Sequence, residues 1–355
     1  MLFLELLLLA LGFFLLVKGA DWFVEGASGI ADKFGIPQLV IGLTIVAMGT
    51  SAPETAVSIT AALKGNADIA VGNVVGSNIL NILIILGVSS VITSIAVAKT
   101  TIRYEIPIML VITFLLLAFG AMGGTICLWE GIVLLLCFAL YLLYMFVMVK
   151  KGEMQADELE NADKPIWKML LAGVVGLALV ILGSDFTVDA ATEIAKMIGL
   201  SDKFIGLTVV ALGTSLPELF TSVIAARKGK ADIAIGNIVG SNIFNIGIVI
   251  GLPVALFGTI PNVTYNIVDL AMMLASAALL FIFSYNDFKI KKNEGIIFLV
   301  LFVEFFKRKN IKDKKALVFL NGYFLSILVM GFFSSVDIIG GRGSMGLYFM
   351  QVFLL

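Results

Sequence analysis

Residues 42–54 read Gly-Leu-Thr-Ile-Val-Ala-Met-Gly-Thr-Ser-Ala-Pro-Glu, and residues 206–218 read Gly-Leu-Thr-Val-Val-Ala-Leu-Gly-Thr-Ser-Leu-Pro-Glu. The two stretches are one segment written twice. Shifted by 164 residues, Ile41–Gly87 aligns with Ile205–Gly251 without a gap, and 31 of the 47 positions are identical. The match extends upstream, pairing Gly19-Ala20-Asp21-Trp22 with Gly183-Ser184-Asp185-Phe186. Soluble solenoids repeat every 20–50 residues or so, and the longer period here marks a duplicated domain.

The surroundings of both segments are apolar. Of 355 residues, 60% are hydrophobic and only 14% charged, with a mean hydropathy of +1.08. A soluble domain carries about 25% charged residues, so the lipid bilayer is read as the solvent and principal partner. A net charge of −1 argues against nucleic acid. The absence of histidine rules out an imidazole metal site or proton relay. Cys127 and Cys137 lie too far apart on one apolar helix to bridge and read as packing residues. The N-terminal stretch lacks a basic leader and a small-residue cleavage site, and reads as a first transmembrane helix.

About 20 apolar residues cross the hydrocarbon core. Candidate spans run over 2–18, 37–63, 68–93, 105–123, 128–149, 167–183, 205–226, 232–258, 264–284 and 294–306. The expected fold is an all-α membrane protein of about ten transmembrane helices in two five-helix repeats. Residues 1–149 form the first repeat, 150–166 a short acidic linker and 167–306 the second. Residues 307–355 are an atypical tail, with a basic run and a stretch, 316–333, that could add an apolar helix.

Five spans per copy is odd, so the second copy enters the membrane from the opposite side, giving inverted repeats. Lysine and arginine concentrate in alternate loops, around Lys33, Lys99 and Arg103, Lys150 and Lys151, Arg227 to Lys230, and Lys289 to Lys292. The positive-inside rule puts these loops and the linker in the cytoplasm and the N-terminus outside, in a multi-pass protein of the cell membrane.

Pro53 and Pro217 are expected to free the carbonyls of Gly49 and Gly213, four residues earlier. Such breaks survive at membrane depth where the freed groups line a cavity or find partners. Glu54 lies one turn after Thr50, and Glu218 one turn after Thr214, so each pair shares a helical face. An ionisable group within a span is costly and functional by default. The competing reading is a protonated glutamate hydrogen-bonded between helices.

In the following spans Asn73, Ser77 and Asn81 recur every four residues, as do Asn237, Ser241 and Asn245, giving one polar stripe per repeat. For Asn73 and Asn237 interhelical hydrogen bonding is the alternative. Asn78 and Asn242 point elsewhere and read as structural. Gly72 and Gly76, and Gly236 and Gly240, present small surfaces for close helix approach. The combined site would hold two carboxylates with hydroxyl, amide and carbonyl oxygens, a donor set for hard cations such as Ca²⁺, Mg²⁺ or Na⁺. Because Mg²⁺ dehydrates reluctantly, a dry all-protein site favours Ca²⁺.

These paired Gly-Thr-Ser-x-Pro-Glu and Gly-Asn-x-x-Gly-Ser-Asn segments resemble the calcium/cation antiporter superfamily, specifically its prokaryotic sodium/calcium exchanger branch, over roughly residues 1–300. The resemblance implies that Glu54 and Glu218 bind Ca²⁺, with backbone carbonyls from Thr50 and Thr214. It implies flanking Na⁺ sites at Ala47, Ser51, Ser77, Ala211, Ser215 and Ser241, and exchange of about three Na⁺ for one Ca²⁺. Some members, including potassium-dependent ones, carry aspartate where this chain has Asn245, so no potassium requirement is expected. Na⁺/Ca²⁺ antiport is the leading function, with no resident cofactor and no obligate protein partner evident. An H⁺/Ca²⁺ antiporter is the alternative and a passive cation channel a more distant one. No nucleophile–base pair, phosphate loop or cofactor motif suggests an enzyme.

Overall fold

A computed structural model describes residues 2–64, 67–123, 126–152, 165–200, 209, 211–258 and 267–308. Most of the linker, the start of the 205–226 span and nearly all of the 307–355 tail lie outside the described residues.

With no water to satisfy backbone groups, apolar runs in a bilayer fold as helices, and the chain does so. In order come α1 (Leu2–Phe34), α2 (Gln38–Thr50), α3 (Ala52–Leu63), α4 (Ala67–Leu80), α5 (Ile106–Gly123), α6 (Leu128–Lys151) and α7 (Ile166–Met197). The second half adds α8 (Ala211–Thr214), α9 (Leu216–Arg227), α10 (Ala231–Phe244), α11 (Ile267–Asp287) and α12 (Lys292–Arg308). Among the described residues, wider π-helical stretches occur at Gly42–Val46, Asn81–Leu86, Thr101–Glu105 and Asn245–Ile250, and those at Asn81 and Asn245 run on into the α-helical turns Gly87–Ile92 and Gly251–Phe257. Among the described residues, seven helices are long and apolar enough to cross a membrane, and the bent pair α2 and α3 makes an eighth. The all-helical membrane class is therefore as expected.

Several span limits are corrected. The first span, expected over 2–18, belongs to a helix of 33 residues, and the sixth, expected over 167–183, to one of 32. Charges end the hydrocarbon crossing but do not end a helix. Both helices stop beside glycines at positive φ, Gly35 at 62° and Gly199 at 83°, the left-handed geometry glycine tolerates. Asp21, Glu25, Asp185 and Asp189 lie on these helices, and Asp21 pairs with Lys228 at 2.6 Å. The last expected span, 294–306, lies within α12, a helix of 17 residues.

The two long helices α1 and α7 pack against each other along glycines spaced by seven. A methyl group on Gly19 would lie 2.7 Å from the Val180 nitrogen, and one on Gly176 would lie 2.4 Å from the Phe23 nitrogen. Gly12 meets Gly183 and Thr187, while Gly26 meets Gly173 and Met169. Rising numbers on α1 meet falling numbers on α7, so the helices are antiparallel. Small residues permit this backbone approach, and dispersion and close packing then hold it in lipid.

Gly236 and Gly240 of α10 press on α2 in the same way, against Leu39, Leu43 and Ala47. The stretch corresponding to α2 in the second half lies mostly outside the described residues. A two-stranded antiparallel pairing was not foreseen: β1 (Ile95–Ala96) aligns Ile95 with Ile290 and Ala96 with Lys289 of β2 (Lys289–Ile290). It ties a loop of the first half to one of the second.

Candidate functional site

The chain turns at Ser51 (φ −80°, ψ 12°), and the axes of α2 and α3 diverge by 49°. Pro53 therefore sits in the first turn of α3 rather than inside a continuous helix, and Pro217 stands likewise at the start of α9. There a missing N–H costs nothing, because first-turn donors have no intrahelical partner. Glu54 and Glu218 fall in these same first turns, where the positive end of the helix dipole favours a carboxylate. Both side chains are buried.

The Gly213 carbonyl, expected to be freed by Pro217, finds a partner, since the Ser184 hydroxyl of α7 donates to it at 2.7 Å. Position 20, the equivalent of Ser184, is alanine.

Each glutamate is reached from the opposite half. The Ser51 hydroxyl donates to Glu218 Oε1 at 2.8 Å, and the Ser215 hydroxyl donates to Glu54 Oε1 at 3.1 Å. Ser51 lies 3.0 Å from Ser241 Oγ, and Ser215 lies 3.4 Å from Ser77 Oγ. Thr214 stands beside Glu54 and Thr50 beside Glu218. The Thr50 hydroxyl has its proton directed to Val46 O, Ala47 O or Asn237 Oδ1, at 3.1, 3.3 and 3.0 Å. Ala47 is buried, and its carbonyl accepts from the Ser51 backbone at 3.1 Å and from Ser241 Oγ at 3.4 Å. Ala211 opens α8 beside Thr214 in the chain.

Asn73 and Asn237 hold the glutamate turns in place. Asn237 Nδ2 donates to Ser222 Oγ at 2.9 Å and Glu218 O at 3.4 Å, and Asn73 Nδ2 donates to Ser58 Oγ at 3.0 Å and Glu54 O at 3.2 Å. Of the two alternatives these bonds favour interhelical fastening. Ser58 and Ser222 were missed in the sequence reading. The available signal was their identity across the repeat within an otherwise divergent stretch, one turn after each glutamate.

Asn81 and Asn245 open the two equivalent π-helical stretches and are fully buried. Four buried acceptors in the centre lack any donor: Glu54 Oε2, Glu218 Oε2, Asn81 Oδ1 and Asn245 Oδ1. Leaving one such group unpaired costs about 1–3 kcal/mol, more for a charged group. The four form two pairs that are equivalent across the repeat. Among the described residues no cluster of three or more Asp, Glu, Cys or His exists, so any cation here would be held by two carboxylates and neutral oxygens.

Membrane-length helices around a buried, oxygen-only centre define an integral membrane protein of the ion-transporter class. Residues 4–147 and 168–306 match the family model described as sodium/calcium exchanger protein, and the chain belongs to that family. A relative, the sodium/calcium exchanger MaX1 of Methanosarcina acetivorans, is 33% identical over 350 residues, covering 84% of this chain and 96% of that protein. The inner membrane protein YrbG of Escherichia coli (strain K12) is 38% identical over 281 residues, covering 76% of this chain and 85% of that one. Among solved structures, the sodium-calcium exchanger NCX_Mj superposes with a TM-score of 0.74 at 35% identity, covering 85% of this chain and 98% of that chain.

Proposed function

We propose that this chain is a secondary-active antiporter exchanging Na⁺ for Ca²⁺ across the cell membrane by alternating access. The observation that carries the reading is the set of four donor-less buried acceptors beside the crossed serine–glutamate bonds. Two carboxylates balance one Ca²⁺, and the same oxygens suit several Na⁺ in its place. Competition of the two ions for one set of ligands couples their movements. Names of relatives support these ions: MaX1 and NCX_Mj are sodium/calcium exchangers.

In this reading Glu54, Glu218, Thr50 and Thr214 form the Ca²⁺ site. Ala47, Ser51, Ser77, Asn81, Ala211, Ser215, Ser241 and Asn245 supply Na⁺ ligands, while Asn73 and Asn237 brace the glutamate turns. The architecture is ten spans in two inverted five-helix repeats. The antiparallel course of α1 and α7, which open the two halves, supports inversion. The β1–β2 pairing supports a common side for two loops that the positive-inside rule assigns to the cytoplasm. The N-terminus then lies outside and the central linker inside.

Ion replacement in proteoliposomes tests the proposal. Ca²⁺ uptake should require an outward Na⁺ gradient, proceed in potassium-free buffer, and fall to background in Glu54→Gln and Glu218→Gln. Uptake unaffected by neutralising both glutamates would refute the site. Uptake driven by a pH gradient without Na⁺ would transfer the function to the proton-coupled class.

A further inference from the structure

Asn78 and Asn242 lie off the polar stripes, yet both are buried at the contact between the two halves. Their side chains form a reciprocal pair with each other's backbone. Asn78 Nδ2 donates to Asn242 O at 3.2 Å, and Asn242 Nδ2 donates to Asn78 O at 3.4 Å. A backbone carbonyl can only accept, so in each residue the amide nitrogen must face the carbonyl. The orientation of both amides is thereby fixed.

That orientation passes on to the stripe residues. With its nitrogen engaged, Asn242 turns Oδ1 toward Asn81, whose Nδ2 donates to it at 2.9 Å. Asn78 Oδ1 likewise accepts from Asn245 Nδ2 at 3.1 Å. Asn81 and Asn245 must each present nitrogen to this interface, and their oxygens are left buried with no donor. An amide flipped the other way would set oxygen against oxygen here and offer N–H groups to the centre, a repulsive lining for a cation.

We infer that Asn78 and Asn242 are positioning residues that lock the side-chain amides of Asn245 and Asn81 with their carbonyl oxygens available to the transported cation. This rests on the proposed cation site. The asparagine quartet spans both halves, so each half orients a ligand of the other. Outer partners that orient a metal ligand commonly change metal affinity by 10–100-fold when removed.

The test is a two-by-two comparison of Asn78→Leu and Asn245→Asp in Na⁺-driven Ca²⁺ uptake. Leucine removes the acceptor that holds Asn245 Nδ2. Asn78→Leu alone should raise the half-saturating cation concentration about tenfold, with the maximal rate far less affected. Aspartate turns an oxygen to the centre whichever way it lies, and its other oxygen faces Asn78 Oδ1 unfavourably, so in the Asn245→Asp background Asn78→Leu should not raise half-saturation. A general packing role would give the same loss in both backgrounds, and that result would overturn the inference. If Asn78→Leu fails to reach the membrane, Asn78→Thr, too short to bond Asn245, carries the same comparison. The mirror pair, Asn242→Leu with Asn81→Asp, should behave alike. Inactivity of the wild type would strike the exchanger reading instead, which separates the two failures.

Discussion

The polar residues in the centre divide into those whose hydrogen bonds are spent and those whose acceptors are spare. Asn237 belongs to the first group, since both ends of its amide are engaged, with Ser222, Glu218 O and Thr50. It is fully buried, whereas its counterpart Asn73 is only half-buried. The two should therefore respond unequally. Asn237→Leu strands the Ser222 hydroxyl and the Glu218 carbonyl in a dry environment, at about 1–3 kcal/mol for a buried group left unsatisfied. Asn73→Leu should cost less, because the loss of a hydrogen bond weighs less on a half-exposed group than on a fully buried one. Thermal melting in detergent checks this, and equal shifts for the two variants would contradict it. The sequence showed these residues as stripes recurring every four positions, and the buried Asn81 and Asn245 lie at the ends of those stripes. It could not distinguish a spent amide from a spare one, because that depends on partners about 160 residues away, such as Asn242 for Asn81.

Helices were easy to find in this chain and their ends were not. Hydropathy marks where the chain sits in lipid, and α1 and α7 continue well beyond that, so their true length depended on terminal glycines rather than on apolar content. The π-helical stretches at Asn81–Leu86 and Asn245–Ile250 carry no sequence signature, though their equivalence across the halves and their place at the site agree with the frequent use of such turns at functional positions. The α1–α7 contact gives the sharpest test at this scale. A side chain at Gly176 must displace the Phe23 backbone, not a flexible tip. Gly176→Leu should separate the helices and destabilise the protein by about 1–3 kcal/mol or more, as overpacking does. Gly152, at positive φ with open space around it, is a poor control because of its conformation. Leu170, exposed on the lipid face of α7, is a better one, and Leu170→Ala should leave folding and transport intact. Size-exclusion profiles and melting curves of the two variants make the comparison.

In the whole molecule the duplication is visible in the bonds, which recur with the halves exchanged, but the covering of the two glutamate helices is unequal. All of Leu216–Ala226 in α9 is buried, while α3 buries only Glu54, Ser58 and Ala61. The cover on α9 comes from α1, through the Phe13–Phe220 ring contact at 6.0 Å between centroids and the Lys228–Asp21 ion pair. On the other side Ala56 stands where Phe220 does, and Leu177 where Phe13 does. An exact two-fold arrangement would cover both helices equally; under the proposed alternating access, exchanging the halves would interconvert this arrangement with one in which α3 is the covered helix. Moving between them requires α1 to leave α9, because a packed interface is bistable rather than continuously deformable. A cross-link between Phe13→Cys and Phe220→Cys, made with a short bis-methanethiosulfonate reagent that forms a disulfide at each thiol with loss of sulfinate, in a Cys127→Ala, Cys137→Ala background, should hold that contact closed. Exchange should stop on cross-linking and return on reduction, while the uncross-linked double variant transports. Undiminished exchange with the link in place would mean that α1 and α9 move as one body, and that access to the glutamates alternates elsewhere.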